Sequence, residues 1–379
     1  MKKIYMDYAA TTYLKKEVLE AMYPFLTEEY ANPSSAYSFA SIPKMEVDKS
    51  RKIVADAINA KRDEIFFTAG GSEADNWAII GTALANRESG NHIITTKIEH
   101  HAVLNSCKYL EKLGFKVTYL DVEEVGLVNI NQLKEAICKD TILVSVMYAN
   151  NEVGTIQPIK EIGDICREKN ILFHTDAVQA VGNIKIDVEK ENIDMLSMAA
   201  HKFYGPKGMG ALYIRKGTKI DGYIHGGSQE RGKRAGTINT AGIAGMGRAM
   251  EISMSNIEAE TIRLSKYRDM LIEGLLQIRG SRLNGAEGDY RLPGNCNISF
   301  KNVEGDMLLA ILDSCGIYAS SGSACSAGSL EPSHVLEAMK VPKEYLKGSL
   351  RLTIGSGTTE DDINYVIEKV KEAIDRLNV

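Results

Sequence analysis

Long apolar runs are missing from this 379-residue chain, and none approaches the roughly 18 apolar residues that a membrane-spanning helix needs. The opening residues, Met1-Lys-Lys-Ile-Tyr-Met-Asp7, meet an acid before any stretch apolar enough for a secretory signal, so a cytoplasmic protein is expected. Cysteine is sparse. The six residues Cys107, Cys138, Cys166, Cys296, Cys315 and Cys325 include no Cys-x-x-Cys, which fits neither a disulfide framework nor a zinc site, and no metal is expected. A surplus of one charge is lacking too. The 45 basic and 50 acidic residues leave −5, spread along the chain, which argues against a nucleic-acid groove or a membrane-binding face. No repeat or low-complexity tract is visible.

What is present is ordinary globular composition, 44% hydrophobic and 25% charged. The length exceeds the roughly 250–300 residues at which one core stops growing, so two domains are expected. From Glu64 to Arg215, strand-like runs alternate with helix-like segments. The strands are expected at Glu64–Thr68, His92–Thr96, Lys116–Leu120, Ile142–Tyr148, Ile171–Thr175 and Asp194–Met198, with helices at Glu73–Asn86, His101–Leu113 and Ile159–Lys169. Such alternation reads as α/β with a mainly parallel sheet, whose ligands gather at the carboxyl ends of the strands. After a glycine-rich stretch beyond Gly226, one long helical pattern over Ala241–Leu276 leads into a smaller α+β unit. There Asn297–Phe300 and Ser349–Thr353 read as strands, and Asp306–Ser314 and Thr359–Leu377 as helices. The division expected is a large domain over 14–255 and a small one formed by 1–13 with 256–379.

The most informative feature is His174-Thr-Asp176-Ala-Val-Gln179 followed by Ala199-Ala-His201-Lys202-Phe-Tyr-Gly205-Pro206-Lys207-Gly208. It supplies an acid able to protonate a pyridine nitrogen and a lysine able to form an imine, the two protein groups that pyridoxal phosphate demands. Each ends an apolar run, and adjacent strand ends converge on one ligand. Alone, the acid would be a turn residue and the lysine a solvated loop charge. Thr68-Ala-Gly70-Gly71-Ser72 lies between a strand and a helix, where backbone amides make a phosphate cradle; a plain helix cap is the alternative. His100 follows the next strand, placed to stack on a planar cofactor or move protons, with His101 as its rival and a structural role as the plain reading. In Asn150-Asn151-Glu152-Val-Gly154, an amide could donate to a cofactor oxygen or a substrate carboxylate, or merely shape a turn.

Ala319-Ser-Ser-Gly322-Ser-Ala-Cys325-Ser-Ala-Gly328-Ser329 consists of small residues around one thiol, so Cys325 is the candidate reactive cysteine. Burial as a small hydrophobe suits the other five. Arg351 alternates with apolar residues in Ser349-Leu-Arg351-Leu-Thr353. A buried arginine needs an anion, either a substrate carboxylate in its bidentate fork or an internal salt bridge.

With these pieces in place, the chain resembles the NifS/IscS-type cysteine desulfurases of the class V aminotransferase-like, fold type I pyridoxal-phosphate enzymes, group I. The likeness runs from Met6-Asp-Tyr-Ala-Ala-Thr-Thr12 and Asn32-Pro-Ser-Ser35 through His201-Lys202 and Ser320-Ser-Gly-Ser-Ala-Cys325-Ser to Arg351. The resemblance implies that Lys202 is the imine-forming lysine, Asp176 the pyridinium partner, Gln179 a ligand of the ring hydroxyl and His100 the stacking acid/base. It puts Gly71, Ser72 and His201 at the phosphate and Thr237 there from a second subunit, hence a homodimer. It puts Asn151 beside the cofactor and, with Arg351, at the substrate carboxylate, and makes Cys325 the sulfur acceptor. The implied activity converts L-cysteine to L-alanine with a persulfide on Cys325, passed on to an acceptor such as an iron–sulfur cluster scaffold. The rival readings are selenocysteine lyase, another class V transferase, or an idle scaffold of the same fold. The chain departs from the family at Ala199 and Ala200, where Ser and Gly are usual, and in Ser72, Tyr37 and Ala40, where Thr, His and Gly are common.

Overall fold

The computed structural model describes residues 3–321 and 332–377. A short strand, β1 (Ile4–Tyr5), precedes the seven strands of the central sheet. These are β2 (Ile65–Thr68), β3 (His92–Thr96), β4 (Lys116–Leu120), β5 (Thr141–Ser145), β6 (Leu172–Asp176), β7 (Met195–Ala199) and β8 (Gly210–Ile214). Their order is β2-β8-β7-β6-β5-β3-β4, and β8 alone runs against its neighbours. Successive residues point to opposite faces, and both faces are covered. Phe66, Ile93, Leu143, Met195 and Leu212 join a core with Trp77 and Leu110, from the helical segments that follow β2 and β3. Their neighbours Phe67, Ile94, Val144, Leu196 and Tyr213 join the other core, with Val54, Ile162 and Met246. Burial on both faces is why these strands read as unbroken apolar runs.

The helix expected over Ala241–Leu276 is two helices, Thr240–Ser255 and Ile257–Leu276, broken at Asn256 (φ −124°, ψ 9°). Ser253, Ser255 and Asn256 compete locally for backbone hydrogen bonds and disfavour a helix interior. The break matters, because the first helix packs on the large sheet and the second carries Leu264, Leu271 and Leu275 into a separate core. That core is built on β9 (Ser281–Leu283), β10 (Asn295–Phe300) and β12 (Ser349–Thr353), antiparallel in the order β12-β10-β9. Into it the C-terminal helix Glu360–Leu377 buries Ile363, Val366, Val370 and Ile374, one stripe at helical spacing. β1 pairs in parallel with β11 (Ile317–Tyr318), and Asp7 bridges to Thr353. The first residues thus start in the small core and run on toward the end of β7.

Candidate active site

β6 and β7 are parallel neighbours with Asp176 opposite Ser197, so Asp176 and the turn Ala200–Lys202 leave the sheet at the same edge. Asp176 is 6% exposed and accepts a hydrogen bond from Val178 N at 3.0 Å. Burial raises its pKa, while His100, the Val178 bond and Lys202 pull it back toward the charged form. Lys202 Nζ donates to the carbonyls of Ala9 and, at 2.9 Å, Ala10; Gln179 Nε2 donates to the same Ala9 oxygen at 3.0 Å. Asp176, Gln179 and Lys202 therefore surround one spot, walled by the incoming N-terminal segment. The turn is strained. Tyr204 sits at φ +67°, unusual for a bulky residue, and is held by its N–H to Thr12 Oγ1 at 2.9 Å. Gly205 follows because a Cβ there would meet Ala200 Cβ at 2.8 Å and its carbonyl at 2.9 Å.

His100 caps the helix His101–Lys112, its Nδ1 accepting from Ala102 N at 3.1 Å. That bond assigns Nε2 as the nitrogen that carries the proton in the neutral ring. One ligand atom each of His100, Asp176 and Asp75 lie within 4.8 Å of one another. His101 turns away, with its ring 4.8 Å from that of His334, so His100 is the histidine that faces Asp176.

Thr11, Gly70, Gly71, Ser72, His201 and Lys207 line an open cleft at the start of the helix Gly71–Asn76. A Cβ on Gly71 would meet Val178 Cγ2 at 2.7 Å and lie 3.6 Å from Ala199 Cβ, so Ala199 sits directly under the cradle. Ala199 brings a methyl group there and no hydroxyl. His201 Nδ1 lies 3.1 Å from Thr11 Oγ1. Burial first, then Lys202 and Lys207, push its pKa down to about 4. Thr237 lines a neighbouring cavity with Thr68, Glu230 and Arg234, not the cleft of Gly71.

Across from this edge, Arg351 is 2% exposed. It donates through Nη2 to Asp7 Oδ1 at 2.8 Å and through Nη1 to the Asn151 carbonyl at 3.1 Å. An internal salt bridge is therefore present, and Asp7 is a partner that spacing could not reveal. Asn150 is a turn residue: its amide oxygen accepts from Glu152 N and Val153 N, both at 2.9 Å, and its nitrogen donates to Ile98 O. That leaves Asn151 as the asparagine beside Arg351. Cys325 lies outside the described residues. Of the other thiols, Cys107, Cys166 and Cys296 are buried and pushed up to about 12 by that burial. Cys138 and Cys315 correct the expectation of burial for the rest: Cys315 is only half-buried, and Cys138 is exposed, 3.5 Å from His92 Nδ1, because the segment after Ala136 leaves the helix before reaching β5.

Near the site, Asp75, Glu99 and His174 are buried polar residues whose partners no sequence reading gave. Glu99 accepts from Thr96 Oγ1 at 2.7 Å and Met147 N at 3.0 Å, yet burial outweighs both and raises its pKa from 4.5 to about 8. The native state holds a proton that the unfolded chain releases. The associated stability is complete below about pH 4.5 and is lost as pH rises through 8. Between pH 5 and 9 the wild type should lose on the order of 4 kcal/mol that Glu99→Gln does not lose, at 1.36 kcal/mol per unit. Urea unfolding of both proteins at the two pH values measures it, and parallel losses would mean that Glu99 is ionised in the fold.

The set fits pyridoxal phosphate: a buried acid, a lysine at the same edge, a histidine beside the acid and an amide cradle flanked by His201 and Lys207. Residues 4–366 match the model of the family described as aminotransferase class-V. A cysteine desulfurase IscS of Clostridium botulinum is 59% identical over 375 residues, covering 98% of this chain and 94% of the relative. One of Methanosarcina thermophila is 55% identical over 376 residues, covering 99% and 93%. A solved NifS-like protein superposes with TM-score 0.93 at 39% identity, over 99% of this chain and 100% of its own. A structure titled SspA in complex with cysteine gives 0.83 at 39%, over 93% and 99%. The chain belongs to the class V aminotransferase family and has its mostly parallel, fold type I architecture. Within that family it belongs with the cysteine desulfurases, and like them it is a pyridoxal-phosphate-dependent enzyme. Among the described residues no helix is long and apolar enough to cross a membrane.

Proposed function

We propose that this protein desulfurates L-cysteine, giving L-alanine and a persulfide on Cys325. The observation that carries the reading is the grouping of Asp176, His100, Gln179 and Lys202 at one sheet edge, with Arg351 of the small unit bonded to the Asn151 carbonyl of the large one. Pyridoxal phosphate, when bound, supplies the electron sink for the pair left on the substrate Cα. Gly71, Ser72 and His201 would hold its phosphate, Asp176 its ring nitrogen and Gln179 its ring oxygen, and Lys202 would be its point of attachment.

Arg351 receives the substrate carboxylate. Asp7 on Nη2 and the Asn151 carbonyl on Nη1 keep the guanidinium plane fixed, so little rotamer freedom remains to be lost on binding. Lys202 moves the Cα proton, and His100 Nε2 exchanges protons at the substrate sulfur. The Cys325 thiolate attacks that sulfur: an S–S bond forms, the substrate C–S bond breaks, and its electron pair leaves with the carbon, which is protonated to alanine. The overall change, cysteine plus thiol to alanine plus persulfide, is balanced without an external oxidant. A thiol or an acceptor protein, such as a cluster scaffold, then takes the sulfur.

The working form is a cytoplasmic homodimer in which the partner copy brings Thr237 to the phosphate. The large unit spans 14–255, and the small one spans 1–13 with 256–379. The test is product analysis: holoprotein with L-cysteine and a thiol reductant should yield alanine and sulfide in equal amounts. Sulfide accompanied by pyruvate instead of alanine would replace this reading by elimination chemistry.

A further inference from the structure

Beneath the cofactor edge lies a run of buried polar groups that the reaction does not use. His174 on β6 is fully buried between two hydroxyls, with Nδ1 2.9 Å from Ser145 Oγ and Nε2 3.0 Å from Ser197 Oγ. Next comes Asp75, 1% exposed, on the inner face of the helix Gly71–Asn76. The Ser197 hydroxyl reaches its carboxyl. His174 Nε2 stands 3.7 Å from Asp75 Oδ1, too far for a hydrogen bond, and Oδ1 has no hydrogen-bond partner among the described residues. One carboxylate oxygen of Asp75 belongs to the group whose ligand atoms lie within 4.8 Å of one another, with Asp176 and His100.

Two carboxyls so close, both out of water, cannot both be charged without a cation apiece. The cations available serve Asp176: His100 and Lys202 both act on its charge. The imidazole beside Asp75 is no cation, because burial holds the His174 pKa down to about 3. Glu99, the other acid acting on Asp75, opposes its ionisation. The Cys107 thiol, on the helix packed against that of Asp75, is also held neutral by burial. Apart from His100, whose charge acts on Asp176, the groups facing Asp75 either are neutral or repel a negative charge.

We propose that Asp75 is a positioning residue that keeps its own proton beneath the cofactor, leaving Asp176 as the single anion offered to the ring nitrogen. Ser145, His174, Ser197 and Asp75 then form a chain of neutral hydrogen-bonding groups, and Asp75 supports Asp176 without competing for the pyridinium. The inference rests on the role proposed for Asp176, but its test does not. Burial raises the Asp75 pKa well above its usual value, with Asp176 and Glu99 adding to that and Ser197 opposing it, in keeping with a retained proton.

The measurement is the infrared carbonyl stretch of un-ionised carboxyl groups in the full-length chain at neutral pH, with and without cofactor. Glu99→Gln with Glu191→Gln serves as background, to remove the two other acids that burial raises, to about 8 and about 7, and so leaves wholly or partly protonated at neutral pH. A band should remain in that background and vanish on adding Asp75→Asn, or Asp75→Ser if the asparagine is not accommodated. No band in that background, or a band that survives when Asp75 is also replaced, would overturn the proposal. A second readout is the pH midpoint of the bound cofactor's visible band. Asp75→Asn should move it by less than about half a unit, whereas losing a nearby negative charge would lower it by roughly 1 unit or more. Loss of cofactor binding in Asp176→Asn, or its retention, bears on Asp176 alone.

Discussion

Replacing Cys325 with alanine should leave the bound cofactor's visible band unchanged and reduce sulfide release from L-cysteine on the order of a thousandfold, the scale on which losing a covalent nucleophile is felt. The two effects separate because the groups that hold the cofactor are anchored elsewhere. Asp176, Gln179 and Lys202 belong to the large sheet's edge and the segment Ala9–Ala10. The segment carrying Cys325 is tied down at both described ends near the substrate arginine. Before it, Ser320 exchanges backbone bonds with Arg351 (2.7 and 3.3 Å). After it, Ser333 Oγ donates to Glu152 at 2.5 Å, one residue beyond Asn151. Alanine should not disturb these stems. Of the other described thiols, three are held as thiols by burial, the exposed Cys138 belongs to the His92–Thr141 corner, and the half-buried Cys315 packs against the small core. Cys138→Ala is therefore the matched control, expected to keep wild-type turnover. Near-normal sulfide and alanine production by Cys325→Ala would remove Cys325 from the reaction.

How far the molecule was legible depended on whether a residue's neighbours were local. β6 and β7 stood out because strands buried on both faces leave continuous apolar runs, and the residues ending them share an edge in a parallel sheet. That is why Asp176 and Lys202 could be expected together from their order alone, whereas the place of Gln179 came from the family resemblance. The C-terminal helix was readable because Ile363, Val366, Val370 and Ile374 repeat at helical spacing. Partners far apart in sequence were not readable. Arg351 and Asp7 are separated by 344 positions, and the spacing could only say that some anion was needed. Pairing between β1 and β11 rests on two residues each, too short for any pattern. Asp75, Glu99 and His174 are polar residues in apolar surroundings whose reason is tertiary: each is buried against another's hydrogen bond or charge. The break at Asn256 was hidden because helix-forming sequence flanks it on both sides, and the few polar residues Ser253, Ser255 and Asn256 leave little trace.

Lys202→Ala should fold normally, bind pyridoxal phosphate only non-covalently and lose at least about a thousandfold in turnover, since it removes both the point of attachment and the base that moves the Cα proton. Folding should survive because the side chain is not a core element. Its amine serves the carbonyls of Ala9 and Ala10 at the rim of a cavity shared with Tyr8, Gln179 and Tyr204. With the amine gone, Gln179 Nε2 still occupies the Ala9 oxygen, and water can reach Ala10 through the same cavity. The backbone of the turn has its own support, in Thr12 N to His201 O at 2.9 Å and Tyr204 N to Thr12 Oγ1 at 2.9 Å, so the cradle at Gly71 and His201 should keep its shape. The expected result is a yellow protein that loses its colour on dialysis and, after borohydride treatment and digestion, yields no cofactor-labelled peptide. The wild type should yield one, spanning His201–Lys207. A small primary amine added to the variant should restore a fraction of alanine formation by taking over the proton transfer. A reducible covalent adduct persisting in Lys202→Ala, on Lys207 or any other lysine, would show that the lysine beside Asp176 is not the one that carries the cofactor.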